Sequence, residues 1–276
     1  NLLSRRALGG NVESVYSPMD AIRIAREHPE LEVVFLGVGF ETTAPGTGAC
    51  IMEASRLGLE NFSVLCLLKK TEPALRSLIG AEDFSVNGFL CPGHVAAVIG
   101  SDAFSFLAED YGLPGVVAGF EPADLLCSVL SLMQMLAAKQ PGLKNEYTRL
   151  VKPHGNPAAL AIMDRVFRPA ASEWRGLGRI EKSGFALKEE YSPWDAWKKF
   201  SLQLPEEKEI PGCRCAQVIR GVLSPSDCPL FRTVCSPENP VGPCMVSGEG
   251  ACAAAFQYGN LSLIHISEPT RLQLSS

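Results

Sequence analysis

The chain has 276 residues, 46% of them hydrophobic, and a net charge of −5. That length supports one large domain or two to three small ones with sizeable cores. Mild, dispersed acidity argues against nucleic acid as the main partner, and no run reaches the ~18 apolar residues of a bilayer span, so neither nucleic acid nor a membrane is expected as a partner.

The chain opens on Asn1 in mid-pattern rather than on Met, which points to a start further upstream. Residues 1–30, with an extended stretch at 12–16 and a helix at 18–27, look like the remnant of a first α/β domain. From 31 to 139 short apolar runs alternate with helical patterns. The runs 32–38 (EVVFLGV), 62–68 (FSVLCLL), 86–91 (VNGFLC) and 115–119 (GVVAG) predict strands. Segments 46–57, 72–79, 94–99 and 103–111 predict helices, and Pro122 opens a long one to Ala138. Its stretch 125–138 is the most apolar in the chain and reads as a buried helix. Near-continuous apolar strands between helices predict a parallel sheet covered on both faces, hence an α/β fold.

Three loops follow strands directly: 39–45 (GFETTAP), 91–95 (CPGHV) and 119–122 (GFEP). Ligands of open α/β sheets bind outside the carboxyl ends of strands, so the three loops are expected on one edge, near one another. They offer Glu41, Thr42, Thr43, His94 and Glu121 as cleft-lining candidates, with the thiol of Cys91 beside them. The competing reading is structural, because Thr and Glu after a strand often cap the next helix. No loop matches a phosphate-binding motif, and GVGFET lacks the third glycine of the dinucleotide fingerprint.

Residues 140–205 are less regular and predict a segment packing back on the α/β domains, with one good helix at 157–167. Two polar–aromatic stretches, 145–156 and 172–178, read as Trp anchors and Arg salt bridges as readily as ligand sites. The Pro-bounded, charged stretch 205–211 reads as a linker. After Gly259 the composition changes abruptly, and 260–276 (NLSLIHISEPTRLQLSS) resembles translated vector sequence rather than part of the fold.

Ten cysteines are present, and six of them fall at 213, 215, 228, 235, 244 and 252. One Cys-dense patch behind a Cys-poor body reads as a metal or redox site in a reducing, cytoplasmic compartment rather than a secreted disulfide scaffold. Pro225, Pro229, Pro237, Pro240 and Pro243 break the region and leave little apolar matter for a core. Four thiolates on a metal centre would hold it instead. Structural zinc favours close Cys pairs, C-x2–4-C, and this region has none and no histidine, so an iron–sulfur centre is the better expectation. Two thiols are then left over, to form a disulfide, relay electrons or simply pack. Cys66 and Cys127 sit in apolar runs and read as packing residues.

Several of these stretches together resemble the HypD family of [NiFe]-hydrogenase maturation proteins. The resemblance rests on GFETTAP, PGHV, GFEP, NEYTRLV, SEWRGLG, CPLF and PVGPCMVSGEGACAA, in family order over nearly the whole chain. It implies two α/β domains of similar design, a cleft between them and a C-terminal [4Fe–4S] region. It implies a scaffold, not a turnover enzyme, on which the Fe(CN)2CO group is assembled with a small HypC-type chaperone and a HypE-type cyanide donor, the cluster supplying electrons. Carried over residue by residue, it makes Cys215, Cys228, Cys235 and Cys252 the cluster ligands and Cys213 and Cys244 the redox thiols, the cluster region spanning 206–259. Glu41, Thr42, Thr43, His94 and Glu121 would line the cleft. The family's iron-binding cysteine lies in a GPGCPVC motif that these 276 residues lack, so the ligand for the Fe(CN)2CO fragment is missing here. The alternatives are an iron–sulfur oxidoreductase acting on a small molecule and a zinc-stapled α/β binding module.

Overall fold

The computed structural model describes residues 2–174, 176–203 and 211–259. The expected 205–211 linker, apart from Pro211, and the 260–276 tail lie outside these residues. The chain divides into two compact units. The first comprises Asn1–Leu75, Asn87–Ser172 and Ile180–Pro205; the second comprises Arg76–Val86, Glu173–Arg179 and Glu206–Ser276.

In chain order, α1 (Leu2–Ala7) and α2 (Pro18–Glu27) precede β1 (Val33–Gly39), α3 (Ala44–Leu57) and β2 (Phe62–Leu68). Helix α2 starts where the sequence says it should. Ser17 accepts from the Met19 N–H, the Ser17 N–H donates to the Asp20 carboxylate, and Pro18 fills the first turn, where no donor is needed. Strands β1 and β2 pair in parallel, from Val33 opposite Phe62 to Gly39 opposite Leu68. Next come α4 (Thr71–Ile79), β3 (Phe89–Pro92), α5 (Gly93–Ile99), α6 (Phe106–Tyr111), β4 (Gly115–Ala118), α7 (Pro122–Ala138) and β5 (Leu143–Asn145). The last elements are α8 (Pro157–Val166), β6 (Phe167–Trp174), β7 (Gly178–Leu187) and α9 (Ala196–Lys199).

The parallel α/β class is as expected, but the strands form two parallel sheets, β1–β2 and β3–β4–β5, and a separate β6–β7 pair. An apolar run says that a strand is buried; it does not say which neighbour it joins. The main core gathers Phe62, Val64 and Leu68 of β2, Ile51 of α3, and Met163, Val166 and Phe167. Two tryptophans pin the irregular segment to it: Trp194 Nε1 donates to the Leu59 carbonyl (2.9 Å) and Trp197 Nε1 to that of Cys66 (3.0 Å).

Helix α7 departs from expectation. It buries Asp124, Ser128 and Ser131 and exposes Leu125, Leu126, Val129, Leu130 and Met133. Two of these three buried polar residues meet partners: Arg149 holds Asp124, and Ser131 donates to Glu146 (2.5 Å) and accepts from Lys144 (2.9 Å). Cys127 is consequently exposed, against the packing role expected for it, whereas Cys66 is buried and donates to the Phe185 carbonyl. Burial pushes the thiol of Cys66 up to about 11 and those of Cys50 and Cys91 up to about 12. A bulky thiol reagent added to the folded protein should therefore modify Cys127 within minutes and leave Cys50, Cys66 and Cys91 unmodified until denaturant is added; mass mapping of the labelled peptides checks this.

The second unit is built on α10 (Cys215–Ile219), α11 (Pro243–Val246) and α12 (Ala251–Tyr258). Its core is small, and four of its seven buried members are cysteines: Cys215, Cys235, Cys244 and Cys252, with Val218, Met245 and Ala253. Sulfur rather than hydrocarbon fills the centre of this unit.

Candidate metal centre

Five of the six cysteines of the second unit are placed by local devices. Cys215 opens α10, Cys244 lies in the short α11, and Cys252 lies in the first turn of α12. Cys228 follows a 3-10 turn, Pro225–Asp227, that is closed by the Ser224 N–H donating to Asp227 (2.9 Å). Cys235 ends a tight loop in which its N–H reaches the Leu230 carbonyl (2.9 Å), and the Asn239 side chain fastens the following turn to the Val234 carbonyl (3.1 Å).

Cys215 and Cys244 form a disulfide, and the Cys244 N–H also points at the Cys215 sulfur (3.1 Å). This changes the partition expected from the family motifs, which made Cys215 a ligand and put Cys213 with Cys244 as the spare pair. The C-x-C spacing offers two adjacent thiols that sequence does not rank; the fold ranks them, because Cys215 begins a helix that faces α11. Four free thiols remain in the patch: Cys213, Cys228, Cys235 and Cys252. Three of them gather round the fourth: burial pushes the Cys252 thiol up to about 11, and charge on Cys228, Cys235 or Cys213 pushes it in the same direction. The disulfide touches this group, with the Cys244 sulfur 3.2 Å from that of Cys252.

All six cysteines line one small pocket, partly open to solvent, whose other walls are Leu230, Phe231, Gly242 and Met245. The lining holds no carboxylate and no imidazole, so the donor set is sulfur alone. Backbone closes on it tightly. A Cβ at Gly242 would stand 2.6 Å from the Cys213 sulfur and 3.3 Å from that of Cys215. The Val241 N–H approaches the Cys235 sulfur at 3.4 Å. Four converging soft donors, apolar walls and a backbone N–H aimed at sulfur fit an iron–sulfur cluster. Among the described residues no three His, Cys, Asp or Glu side chains are gathered so as to hold a single metal ion. A tetrahedral zinc needs four sulfurs about 2.3 Å from one point, whereas a cubane takes its thiolates spread around a larger body.

The loops of the first unit are arranged differently from the single edge expected. Those at 91–95 and 119–122 leave the adjacent strands β3 and β4 of one sheet, and they meet: the exposed His94 ring stacks on Phe120 at 4.0 Å and 22°. The 39–45 loop leaves β1, in the other sheet. There Glu41 is buried and accepts from both the N–H and the hydroxyl of Thr71 (2.8 Å each), so it caps α4 rather than facing a ligand. Thr43 donates to the Phe40 carbonyl (3.2 Å), and Thr42 is exposed. Glu121 is exposed, 3.4 Å from Arg149.

The side chains that organise the His94 side do not stand out as site residues in the sequence. Arg149 forks onto Asp124 (2.6 and 2.5 Å) and lies over the Tyr147 ring (4.6 Å), and Tyr147 meets Phe120 edge-on. The available signal was the polar–aromatic stretch NEYTRL, read as a source of Arg salt bridges. The Arg149 guanidinium holds the Asp124 carboxyl below its ordinary value. A depressed folded pKa gives stability that is present above the unfolded value of about 3.9 and lost as pH falls through the folded one. The loss of urea midpoint caused by Arg149→Met is therefore expected to be full at pH 7 and to shrink towards zero as pH falls below about 3.9; a constant difference across that range would break the assignment.

The family model described as "HypD: Hydrogenase formation hypA family" matches residues 1–259. A hydrogenase maturation factor HypD of Rhodobacter capsulatus is 44% identical over 264 residues, covering 94% of this chain and 70% of its own length. That of Azotobacter vinelandii is 43% identical over 265 residues, 94% of this chain and 70% of its own. That of Escherichia coli K12 is 44% identical over 259 residues, 94% of this chain and 69% of its own.

Proposed function

Since the chain belongs to the HypD family of hydrogenase maturation factors, we propose that it is the cluster-bearing part of a scaffold on which the Fe(CN)2CO group of [NiFe]-hydrogenase is assembled. Cys213, Cys228, Cys235 and Cys252 hold a [4Fe–4S] cluster, and Cys215 and Cys244 are the remaining, disulfide-forming pair. The observation that carries this reading is the cavity lined by six cysteines, of which two are bonded to each other and four are free. When bound, the cluster supplies electrons for attachment of cyanide to the iron fragment.

The fragment itself is cargo. Iron-bound cyanide carries negative charge and accepts hydrogen bonds, which suits the exposed Thr42 and His94, whereas the hydroxyl proton of Thr43 is given to the Phe40 carbonyl. Glu41 is committed to capping α4 and Glu121 to Arg149, so neither is assigned a role towards the cargo. The partners of this reading are a small HypC-type chaperone and a HypE-type cyanide donor, in the cytoplasm. No helix among the described residues is long and apolar enough to cross a membrane.

The test is co-isolation. A tagged copy of the chain, expressed anaerobically with the two partners, is expected to be brown and to retain the cyanide donor. It is expected to show no infrared bands of iron-bound cyanide or CO, because these 276 residues lack the GPGCPVC ligand. A colourless protein, or turnover of a soluble substrate without any partner, would sink the scaffold reading. Bands of bound cyanide on this chain alone would show that another residue holds the fragment.

A further inference from the structure

Helix α10 is held at both ends by unlike means. Its first residue, Cys215, is bonded to Cys244. Its far end is gripped by a segment more than 130 positions earlier in the chain. Arg220 Nη2 donates to Asp83 Oδ2 (2.9 Å), and Nε stands 2.6 Å from Oδ1 as an ion contact off the hydrogen-bond line. The Ser85 N–H donates to the Arg220 carbonyl (3.0 Å). Gly221 turns the chain with φ +77°, and a Cβ there would stand 2.9 Å from Val86 Cγ2, so the two backbones lie side by side. Arg76–Val86 belongs to the same compact unit as the cysteine patch.

We propose that the segment around Asp83, Ser85 and Val86 is a strap that presses α10 towards α11 and thereby protects the Cys215–Cys244 disulfide from reduction. Asp83 and Arg220 are its positioning residues. Reduction breaks the S–S bond, takes up two electrons and two protons, and leaves two thiols; a dithiol reductant supplies them and closes to its own disulfide. Whether the bond re-forms depends on how often the two thiols meet, which is an effective concentration set by what holds them together. Helix α10 is only five residues long and cannot hold Cys215 in place by itself. The strap supplies a second anchor through one Arg–carboxylate hydrogen bond, reinforced by an ion contact, and a backbone hydrogen bond, which together fix the geometry more than an isolated exposed ion pair would.

The inference goes beyond the metal-centre reading and needs no metal for its test. The full chain is equilibrated anaerobically in mixtures of reduced and oxidised dithiothreitol, alkylated, and the Cys215–Cys244 peptide quantified by mass. Asp83→Ala is expected to shift the equilibrium about fivefold towards the thiols, about 20 mV at ~30 mV per tenfold. The charge swap Asp83→Arg with Arg220→Asp is expected to return it to within about twofold of the parent. Glu53→Ala, which breaks the exposed Glu53–Arg56 pair of the other unit, is expected to leave it unchanged. A merely stabilising role would lower the melting temperature of Asp83→Ala without moving the thiol–disulfide ratio, and that result overturns the proposal. So does an oxidised protein in which Cys215 and Cys244 are both alkylated.

Discussion

Cys213→Ser is expected to emerge colourless from anaerobic purification, while Cys215→Ser stays brown. The two residues are separated by a single residue in a C-x-C pair, so sequence gives little reason to separate them. The fold separates them completely: Cys215 is bonded to Cys244, and Cys213 is free and lines one pocket with the other three free thiols. A serine hydroxyl stays protonated near neutral pH and is a poor substitute for thiolate. Where a structural metal site is also the core of its unit, binding free energy is folding free energy, ~10 kcal/mol or more for four-ligand sites. Losing one of four ligands should therefore lower cluster occupancy more than ~10-fold. It should also open the C-terminal unit to proteolysis. Cys215→Ser loses a cross-link instead. The bridge closes a loop with a sequence separation of 29, for which chain entropy gives about 3–4 kcal/mol. That variant should melt earlier and keep its iron. The opposite pattern, colour lost with Cys215 and kept with Cys213, would restore the ligand set expected from the family motifs.

Gly242→Ala should separate loading from folding. The added methyl would sit 2.6 Å from the Cys213 sulfur. Without metal, Cys213 can rotate its χ1 to relieve the overlap, so the apo protein should lose at most the ~1–3 kcal/mol of an overpacked site. With metal, the sulfur is fixed by its bond and cannot move. Cluster occupancy should therefore fall more than ~10-fold. Far-ultraviolet circular dichroism and the melting temperature of the apo form should change little. An alanine variant that loads iron as the parent does would show that Cys213 is not a ligand in this position. Gly250 is not an equivalent probe, because a Cβ there would meet the Cys244 carbonyl, a backbone atom that cannot swing away.

Sequence was informative wherever the cause of a structure is local. The limits of α2 follow from Ser17, Pro18 and Asp20 as neighbours, and those of β2 from an unbroken apolar run. The crowding of cysteines after 213 suffices to expect a metal or redox site. What remained hidden depends on partners distant along the chain. β5 has three residues and no apolar run, so nothing marked it before it paired with β4. The exposed face of α7 follows from Arg149 meeting Asp124, and Glu146 and Lys144 meeting Ser131, from outside the helix. Residues 86–91 read as a strand, yet β3 begins only at Phe89; Val86 lies in the strap beside Gly221. Glu41 looked like a ligand because it follows a strand, and became a cap because Thr71 opens a helix beside it. The bonding of Cys215, rather than Cys213, to Cys244 was out of reach for the same reason: it depends on partners distant along the chain.

The central claim is that four thiolates, Cys213, Cys228, Cys235 and Cys252, enclose one polynuclear iron centre. Mössbauer spectroscopy of protein grown on 57Fe, combined with iron and acid-labile sulfide analysis, tests it directly. The expected result is about four iron and four sulfide per chain in the paired-valence pattern of a cubane, abolished by Cys213→Ser and retained in Cys215→Ser. One zinc per chain without sulfide, or a full iron load in Cys213→Ser, would contradict it.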